Sequence, residues 1–365
     1  MPATEPTLSA TCPAGSLTDV PGIRVGHYQR KGRGWQTGTT AVVVPEGAVP
    51  GVDVRGGGPG TRETDALAPE NLVDRIHGIC LTGGSAYGLA AADGVVSWLE
   101  EQGLGFPIMV GDEERGVVPV VPAAVVFDLG RGGTFANRPD ADFGKRAARS
   151  AKRRQTQWGS VGAGTGAKAG GLQGGVGTAS QIVTLPGDDD QPSIDVVVGS
   201  LAVVNANGSA VDLTTGLPWE HRGFDLRRPS KADKHALQDL ANGQASPELN
   251  TTIGVVATSA RLNKAETSKL ASVAHDGLAR AIRPAHSMFD GDTIFGLATG
   301  LHRLSAGSTT MRVPGSRNGA LNQLLDAAAD TFAAACTHAV LAATTIGDLR
   351  AYRGVCPSAL RGSLS

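Results

Sequence analysis

The stretch Glu248-Leu-Asn-Thr-Thr-Ile-Gly-Val-Val-Ala257 marks the sharpest change of character in the chain. Residues 219–250 are polar and charged, with a short helical stretch near 231–240, then Gly243 and Pro247, as in an exposed connection. From Thr251 the sequence turns apolar and β-branched, and it reads as a strand beginning directly after Asn250. A threonine at such a junction has a chemical option. Its hydroxyl is a weak nucleophile that needs a base. If the bond before it is cut, its own α-amino group, with a reference pKa of about 7.7–8.0, takes that role near neutral pH. The hydroxyl can make the cut itself, by attacking the carbonyl of residue 250, shifting the acyl group from N to O and leaving an ester for water to hydrolyse. The same pattern also fits a plain loop-to-strand junction, since Asn and Thr are ordinary turn residues.

Working outward, Asn263 and Glu266 have the spacing of a capping box. Leu270, Val273, Ala274, Gly277, Leu278, Ala281 and Ile282 follow as one apolar helical face, with Pro284 beyond it. Residues 293–298 read as a strand and 320–343 as an alanine-rich helix. Upstream, strands are expected at 38–44, 78–81 and 194–204, with a helix at 86–101 stopped by Gly103. Residues 117–129 form an apolar run interrupted by Pro119 and Pro122, and residues 1–20 look like a loose leader. Helices long enough to cover sheets, mixed with strands, imply a layered α/β fold. The chain has 365 residues, 41% hydrophobic but only 4% aromatic, so the core must be built from Ala, Val, Leu and Ile. The 51 glycines are about twice the usual share and suit tight turns and close backbone approach.

Several function classes are disfavoured. A net charge of −1 gives no global attraction to nucleic acid or anionic membrane, and the basic run Lys145, Arg146, Arg149, Lys152, Arg153, Arg154 reads as a solvated face. Cys12, Cys80, Cys336 and Cys356 form no C-x-x-C pair, and the eight histidines form no ligand-spaced pair, so neither a metal nor a disulfide framework is expected. His275 reads as a packed or surface histidine. Gly162-Ala-Gly-Thr-Gly-Ala167 fits a loose dinucleotide fingerprint, but the glycines after it would break the helix such a site needs, so no cofactor is expected. No signal peptide and no stretch long and apolar enough to span a bilayer are read, and the expected location is cytoplasmic.

Longer motifs carry a resemblance. Asp53-Val-Arg-Gly-Gly-Gly-Pro-Gly-Thr-Arg-Glu-Thr-Asp65, Leu81-Thr-Gly-Gly-Ser-Ala-Tyr-Gly-Leu-Ala-Ala-Ala-Asp-Gly94 and Gly162-Ala-Gly-Thr-Gly166 come first, then Asn250-Thr-Thr-Ile-Gly-Val-Val256. Ala274-His-Asp-Gly-Leu-Ala-Arg280, Ile282-Arg-Pro-Ala-His286 and Asp290-Gly-Asp-Thr293 follow. In this order, from about residue 18 to about 350, the chain resembles the DmpA-type family of self-processing aminopeptidases, and within it most of all the 6-aminohexanoate (nylon) oligomer hydrolases. The resemblance implies an αββα sandwich of the N-terminal-nucleophile-hydrolase type. It implies one composite domain over residues 1–365, cut into a large subunit (1–250) and a small one (251–365). Thr251 would be the nucleophile and Asn250 the residue before the cut. Asp290 and Asp292 would sit near the nucleophile, where other members carry Ser and Glu. Asn205, or Asn207 two positions on, would be the oxyanion-hole asparagine.

Two positions depart from the family. The family's lysine after the Gly-Thr-Gly loop is replaced in Gln173-Gly-Gly-Val-Gly177, with Lys168 five residues early, and a tyrosine before the aspartate is replaced in Phe127-Asp128. Substrate contacts are accordingly expected among Tyr87, Phe127, Lys168 and Gln173. The leading expectation is an amide hydrolase acting on small linear amides such as 6-aminohexanoate oligomers, assembled as a tetramer of cleaved pairs. The rivals are an aminopeptidase or D-amino-acid esterase and amidase on short peptides, an ornithine acetyltransferase-like acyltransferase, and an unprocessed binding protein.

Overall fold

The computed structural model describes residues 15–155, 157–186, 192–243, 250–304 and 316–361. In chain order the strands are β1 (Arg24–Gly32), β2 (Trp35–Val54), β3 (Thr61–Arg62), β4 (Ile76–Thr82), β5 (Phe106–Val110), β6 (Glu113–Val118), β7 (Ala123–Val125), β8 (Lys168–Ala169), β9 (Leu172–Gln173), β10 (Gly175–Leu185), β11 (Ile194–Val204), β12 (Ile253–Ala260) and β13 (Thr293–His302). The helices are α1 (Ser85–Gly88), α2 (Ala91–Glu101), α3 (Ala141–Arg149), α4 (Lys231–Asn242), α5 (Lys264–Ala281), α6 (Arg317–Ala342) and α7 (Tyr352–Val355).

Strand β2 organises the architecture. Its first half pairs with β1 and β4; its second half, Val49 to Val54, pairs antiparallel with β13. The sequence reading ended this strand at Val44, before Pro45 and Pro50. The strand instead runs through both prolines: Pro45 lies where the register against β4 shifts between Val43 and Ala48, and Pro50 lies opposite Leu297 in the pairing with β13. A proline is tolerated at such an irregularity, where no ladder donor is needed. Beyond it the order β10-β11-β12-β13-β2 continues the sheet, with β12 and β13 parallel.

Alternation along the strands then defines the layers. Val42, Val44, Leu201, Val203, Ile253, Val255, Phe295 and Leu297 share one core between the two halves of the sheet. Their neighbours face outward. Ala41 and Val43 pack with Ala91, Val95 and Ala147 of α2 and α3. Ala202, Val204 and Val256 pack with Leu270, Ala274 and Phe332 of α5 and α6. The result is an αββα sandwich. Each fully buried Ile, Val or Phe in these layers contributes about 1.5–3 kcal/mol.

The aromatic-poor, glycine-rich composition has a packing cause. A Cβ on Gly277 of α5 would stand 2.0 Å from the Ala329 carbonyl of α6, and one on Gly177 of β10 would stand 2.0 Å from the Ala335 carbonyl. Helix α6 therefore lies almost backbone to backbone on its neighbours. By length and composition α6 is apolar enough to cross a bilayer, contrary to the sequence expectation, but 89% of its most apolar window is buried inside this fold. The loose-leader expectation also fails in part. Ser16 caps a short 3-10 turn at Leu17–Asp19, and Leu17 and Val20 are buried in the inter-sheet core. Residues 1–14, with Cys12, and residues 244–249, with Pro247 to Leu249, lie outside the described residues. Asn263 and Glu266 form the expected capping box of α5.

Candidate active site

The register of the parallel pair builds the site. Ile253 is opposite Thr293, and the same offset continues upstream to an isolated bridge between Asn250 and Asp290. On the other side, β11 pairs Val203 with Ile253, so the chain after β11 runs past the start of β12. The Thr251 N–H donates to the Asn205 carbonyl at 2.6 Å. One strand start thus lies between Asn205 and the turn Asp290-Gly-Asp292. Carried back from Ile253 and Val255, the alternation turns Thr251 toward the space between the sheets.

Asn250 and Thr251 are buried, at 4% and 6% exposure. The Thr251 hydroxyl donates to the Asn250 carbonyl oxygen at 2.6 Å, and the Gly291 N–H donates to the same oxygen at 3.1 Å. Gly291 has no room for a side chain: a Cβ there would lie 2.5 Å from the Gly58 carbonyl and 2.8 Å from Thr251 Oγ1. The glycine-dense loop after Asp53 has the same cause. Gly58 N–H donates to the Asp290 carbonyl at 2.9 Å, and a Cβ on Gly56 would meet that carbonyl at 2.2 Å. These glycines are required by close backbone approach.

The two aspartates are both 2% exposed and have different partners. Asp292 accepts from the Thr252 N–H at 2.8 Å and, through its other oxygen, from the His286 N–H at 3.0 Å and lies 2.8 Å from His286 Nδ1. It fixes the chain immediately after the nucleophile candidate. Asp290 accepts from the Ser287 N–H at 2.9 Å and from its hydroxyl at 2.5 Å, and from the Asn207 N–H at 3.5 Å. His286 was not singled out as a site residue in the sequence. It holds a left-handed backbone, φ 59°, and its ring packs edge-on against His275 at 4.9 Å. His275 is fully buried with Nε2 3.0 Å from the Asp53 carbonyl, and burial lowers its pKa to about 4, so it is a packed neutral group.

Asn205 is fully buried. Its Oδ1 accepts from Arg131 Nη1 at 2.6 Å and from the Lys168 N–H at 3.0 Å. Both partners are donors only, which assigns the oxygen and leaves Nδ2 as the free amide end. Among the described residues, that buried Nδ2 has no hydrogen-bond partner. A buried donor left unmatched costs about 1–3 kcal/mol, and such a group calls for a role. Asn207, by contrast, is exposed and touches Asp290 through its backbone.

A cation at this site among the described residues is Arg131, which the sequence reading does not single out. Its Nη1 donates to the Gly166 carbonyl and to Asn205 Oδ1, both at 2.6 Å, and Nη2 reaches Asn250 Oδ1 at 3.3 Å. The signal was faint: one arginine inside Leu129-Gly-Arg-Gly-Gly133. A Cβ on Gly132 would press on the Trp35–Gln36 backbone, at 2.4 Å, so this loop too is held tightly. Asp128 lies at the head of the same loop. Burial pushes its carboxyl up to about 6, against the lowering effects of Thr37, the Gly84 N–H and Arg131.

The other expected substrate contacts sit differently. Gln173 is fully buried, and its amide nitrogen lies 2.9–3.3 Å from the carbonyls of Gly164, Thr165, Ala167 and Gly174, which share its two protons. It organises the Gly-Thr-Gly loop from inside. Lys168 meets Asn205 through its backbone, while the residue lines a surface cavity of about 470 Å³ with Asp239 and Arg350. Tyr87 is 55% exposed with the Arg138 guanidinium 3.7 Å over its ring, and Phe127 is half-buried. Among the described residues, no hydrogen bond ties Tyr87, Phe127 or the Gln173 side chain to Thr251, and no group of three or more His, Cys, Asp or Glu gathers as a metal site.

Residues 15–352 match peptidase family S58. The chain belongs to that family. It is 46% identical over 363 residues to an uncharacterized aminopeptidase of Mycobacterium leprae, covering 95% of this chain and 96% of that protein. It is 31% identical over 290 residues to a 6-aminohexanoate-oligomer endohydrolase of Kocuria sp., covering 77% and 74% respectively. Among solved structures, the L-aminopeptidase D-Ala-esterase/amidase of Ochrobactrum anthropi, described as a variant of the Ntn hydrolase fold, superimposes with a TM-score of 0.67 over 94% of this chain and 90% of that one, at 20% identity. The fold of this peptidase-family chain is therefore of the Ntn-hydrolase type, and its chemistry is hydrolytic.

Proposed function

We propose that this S58 member is a self-processing aminopeptidase that cuts itself between Asn250 and Thr251 and then uses the amino-terminal Thr251 as nucleophile. The observation that carries the reading is the convergence of Thr251, the unpartnered Asn205 Nδ2 and the Asp290-Gly-Asp292 turn at one strand start. In the first reaction, Thr251 Oγ1 bonds to the carbonyl carbon of residue 250, the C–N bond breaks, and the hydroxyl proton ends on the freed amine. Charge that builds on the carbonyl oxygen is met by the Gly291 N–H. Water then hydrolyses the ester. In the mature reaction the Thr251 amine takes the hydroxyl proton as Oγ1 attacks the substrate amide, and Asn205 Nδ2–H stabilises the oxyanion. Asp292, bound to the Thr252 N–H, holds the new terminus in place.

The aminopeptidase reading is preferred because the relative at 46% identity bears that name, over nearly the whole of both chains. The second reading, hydrolysis of linear ω-amino amide oligomers, is favoured by the threonine nucleophile with its two aspartates and by the relative at 31% identity. Rates on aminoacyl anilides and on 6-aminohexanoate oligomers, measured side by side, separate the two. The parent reading is tested by intact mass of wild type and Thr251→Ala. Two fragments in wild type, the smaller beginning at Thr251, and one chain in the variant are expected. A folded wild-type chain that stays whole leaves Thr251 without its terminal amine and returns the protein to the binding-protein alternative. A tetramer of cleaved pairs is proposed with this reading and is read by light scattering.

A further inference from the structure

Asn250 also reports on the substrate. The ester formed during self-cleavage carries the acyl group of residue 250 on Thr251 Oγ1. The acyl-enzyme of the mature reaction carries an aminoacyl group on the same oxygen, and water completes both reactions in the same place. The two are one kind of intermediate, so the slot that holds the Asn250 side chain is the slot that receives the side chain of the substrate's acyl residue. This step rests on the Thr251 reading above.

The slot is built and polar. The Asn250 N–H donates to the Phe289 carbonyl at 3.0 Å, marking where a substrate's free amino group would donate. Its carbonyl faces the Gly291 N–H, and its side-chain Oδ1 faces Arg131 Nη2 at 3.3 Å. The guanidinium does not need to move to make this contact, because its other end is anchored on Asn205 Oδ1 and the Gly166 carbonyl. Gly166 O, Asn205 Oδ1 and Asn250 Oδ1 are neutral oxygens, and a guanidinium bonds a neutral or a negatively charged acceptor alike. An aliphatic side chain offers Nη2 no acceptor in place of Asn250 Oδ1.

We propose that Arg131 selects the acyl residue, so that the mature enzyme prefers an amino-terminal Asn or Asp, with its carbonyl or carboxylate one methylene from Cα, over Ala or Leu. A hydrogen bond to a charged group is worth roughly 10–100-fold in kcat/KM. The test uses the processed enzyme and the p-nitroanilides of L-Asn, L-Asp, L-Ala and L-Leu. Asn and Asp are expected to exceed Leu by about tenfold or more. Arg131→Met should lower all four rates, since Arg131 also holds Asn205, and bring the Asn-to-Leu ratio close to one. Turnover of Leu or Ala equal to that of Asn in wild type overturns the selection and leaves the nucleophile standing. A processed wild type that hydrolyses none of the four removes the aminopeptidase reading, and the selection with it. The precursor supplies an arm that does not depend on Arg131→Met folding. Asn250→Leu is expected to cut itself at least about tenfold more slowly than Asn250→Asp, and equal rates in these two variants overturn the proposal.

Discussion

Replacing Asn205 by aspartate isolates one atom of the proposed machinery. The wild-type side chain uses Oδ1 as the acceptor for Arg131 and the Lys168 N–H, and keeps Nδ2 buried and unpartnered. Aspartate preserves the acceptor, gains an ionic partner in Arg131, and turns the donor end into an oxygen. Removing one oxyanion donor costs about 10²–10³ in kcat, or roughly 3–4 kcal/mol, and a carboxylate oxygen facing the developing charge pushes the loss to the upper end. Since that charge exists only in the transition state, KM should move far less than kcat. The N-to-O acyl shift of self-cleavage should survive, because the Asn250 carbonyl is met by the Gly291 N–H, while hydrolysis of the resulting ester slows together with the mature reaction. Asn205→Ala is the contrast. It removes an acceptor shared by Arg131 Nη1 and the Lys168 N–H, at a cost of about 1–3 kcal/mol, and should lower Tm as well as kcat. The assay is kcat and KM on an aminoacyl anilide, with calorimetry on the same samples. If processed Asn205→Asp keeps kcat within about threefold of wild type, the oxyanion assignment is wrong.

Three further outcomes follow from the same geometry. Gly291→Ala drives a methyl against the Gly58 carbonyl and Thr251 Oγ1, and a shift of about 1 Å at a reacting group costs about 10²-fold. The purified variant should remain uncut on a denaturing gel over times when wild type is complete, and cutting at the wild-type rate would remove the steric argument. Gln173→Ala leaves the carbonyls of the Gly-Thr-Gly loop without their shared donor and should cost about 1–3 kcal/mol, read as a lower Tm. Burial lowers the pKa of His27, His275 and His338 to about 4, so the unfolded chain binds more protons than the native one between pH 6.5 and 4. Their stabilising contribution is complete above pH 6.5 and is lost as pH falls through that window. Asp128, raised to about 6, works the other way and destabilises as pH rises through 6. Three groups outweigh one, so calorimetry should show Tm falling from pH 7 to pH 4.5. A flat or rising Tm would contradict the buried neutral histidines.

What was legible in the sequence was what depends on chain-local pattern. The strand after Asn250, the capped helix from Asn263 and the alanine-rich helix follow from periodicity and caps, and each is present. The layer order rested on family resemblance, because alternation in a strand reports two buried faces without saying what covers them. Strand β2 shows the limit. Pro45 and Pro50 are local stop signals, and they are overridden by a change of pairing partner that no local window contains. Helix 86–101 shows the reverse: the apolar run is continuous, but the chain breaks it into α1 and α2 around Leu89 and Ala90.

The site divides along the same line. Thr251, Asn205, Asp290 and Asp292 could be named because each sits in a motif of the family. Arg131 could not, because its place beside Asn205 and Asn250 depends on loops separated by 74 and 119 residues. The missing lysine at Gln173 explains why this matters. A buried amide there can satisfy carbonyls of the loop, which a lysine would do only by burying its charge. Arg131 instead brings a charge to Asn205 and to Asn250, the residue before the proposed cut. In the proposed reading the cationic contact thus lies at Asn205 and Asn250 and not at position 173. In that position a cation can read the acyl residue as well as hold the asparagine, so the departure from the family pattern bears on which amide is cut.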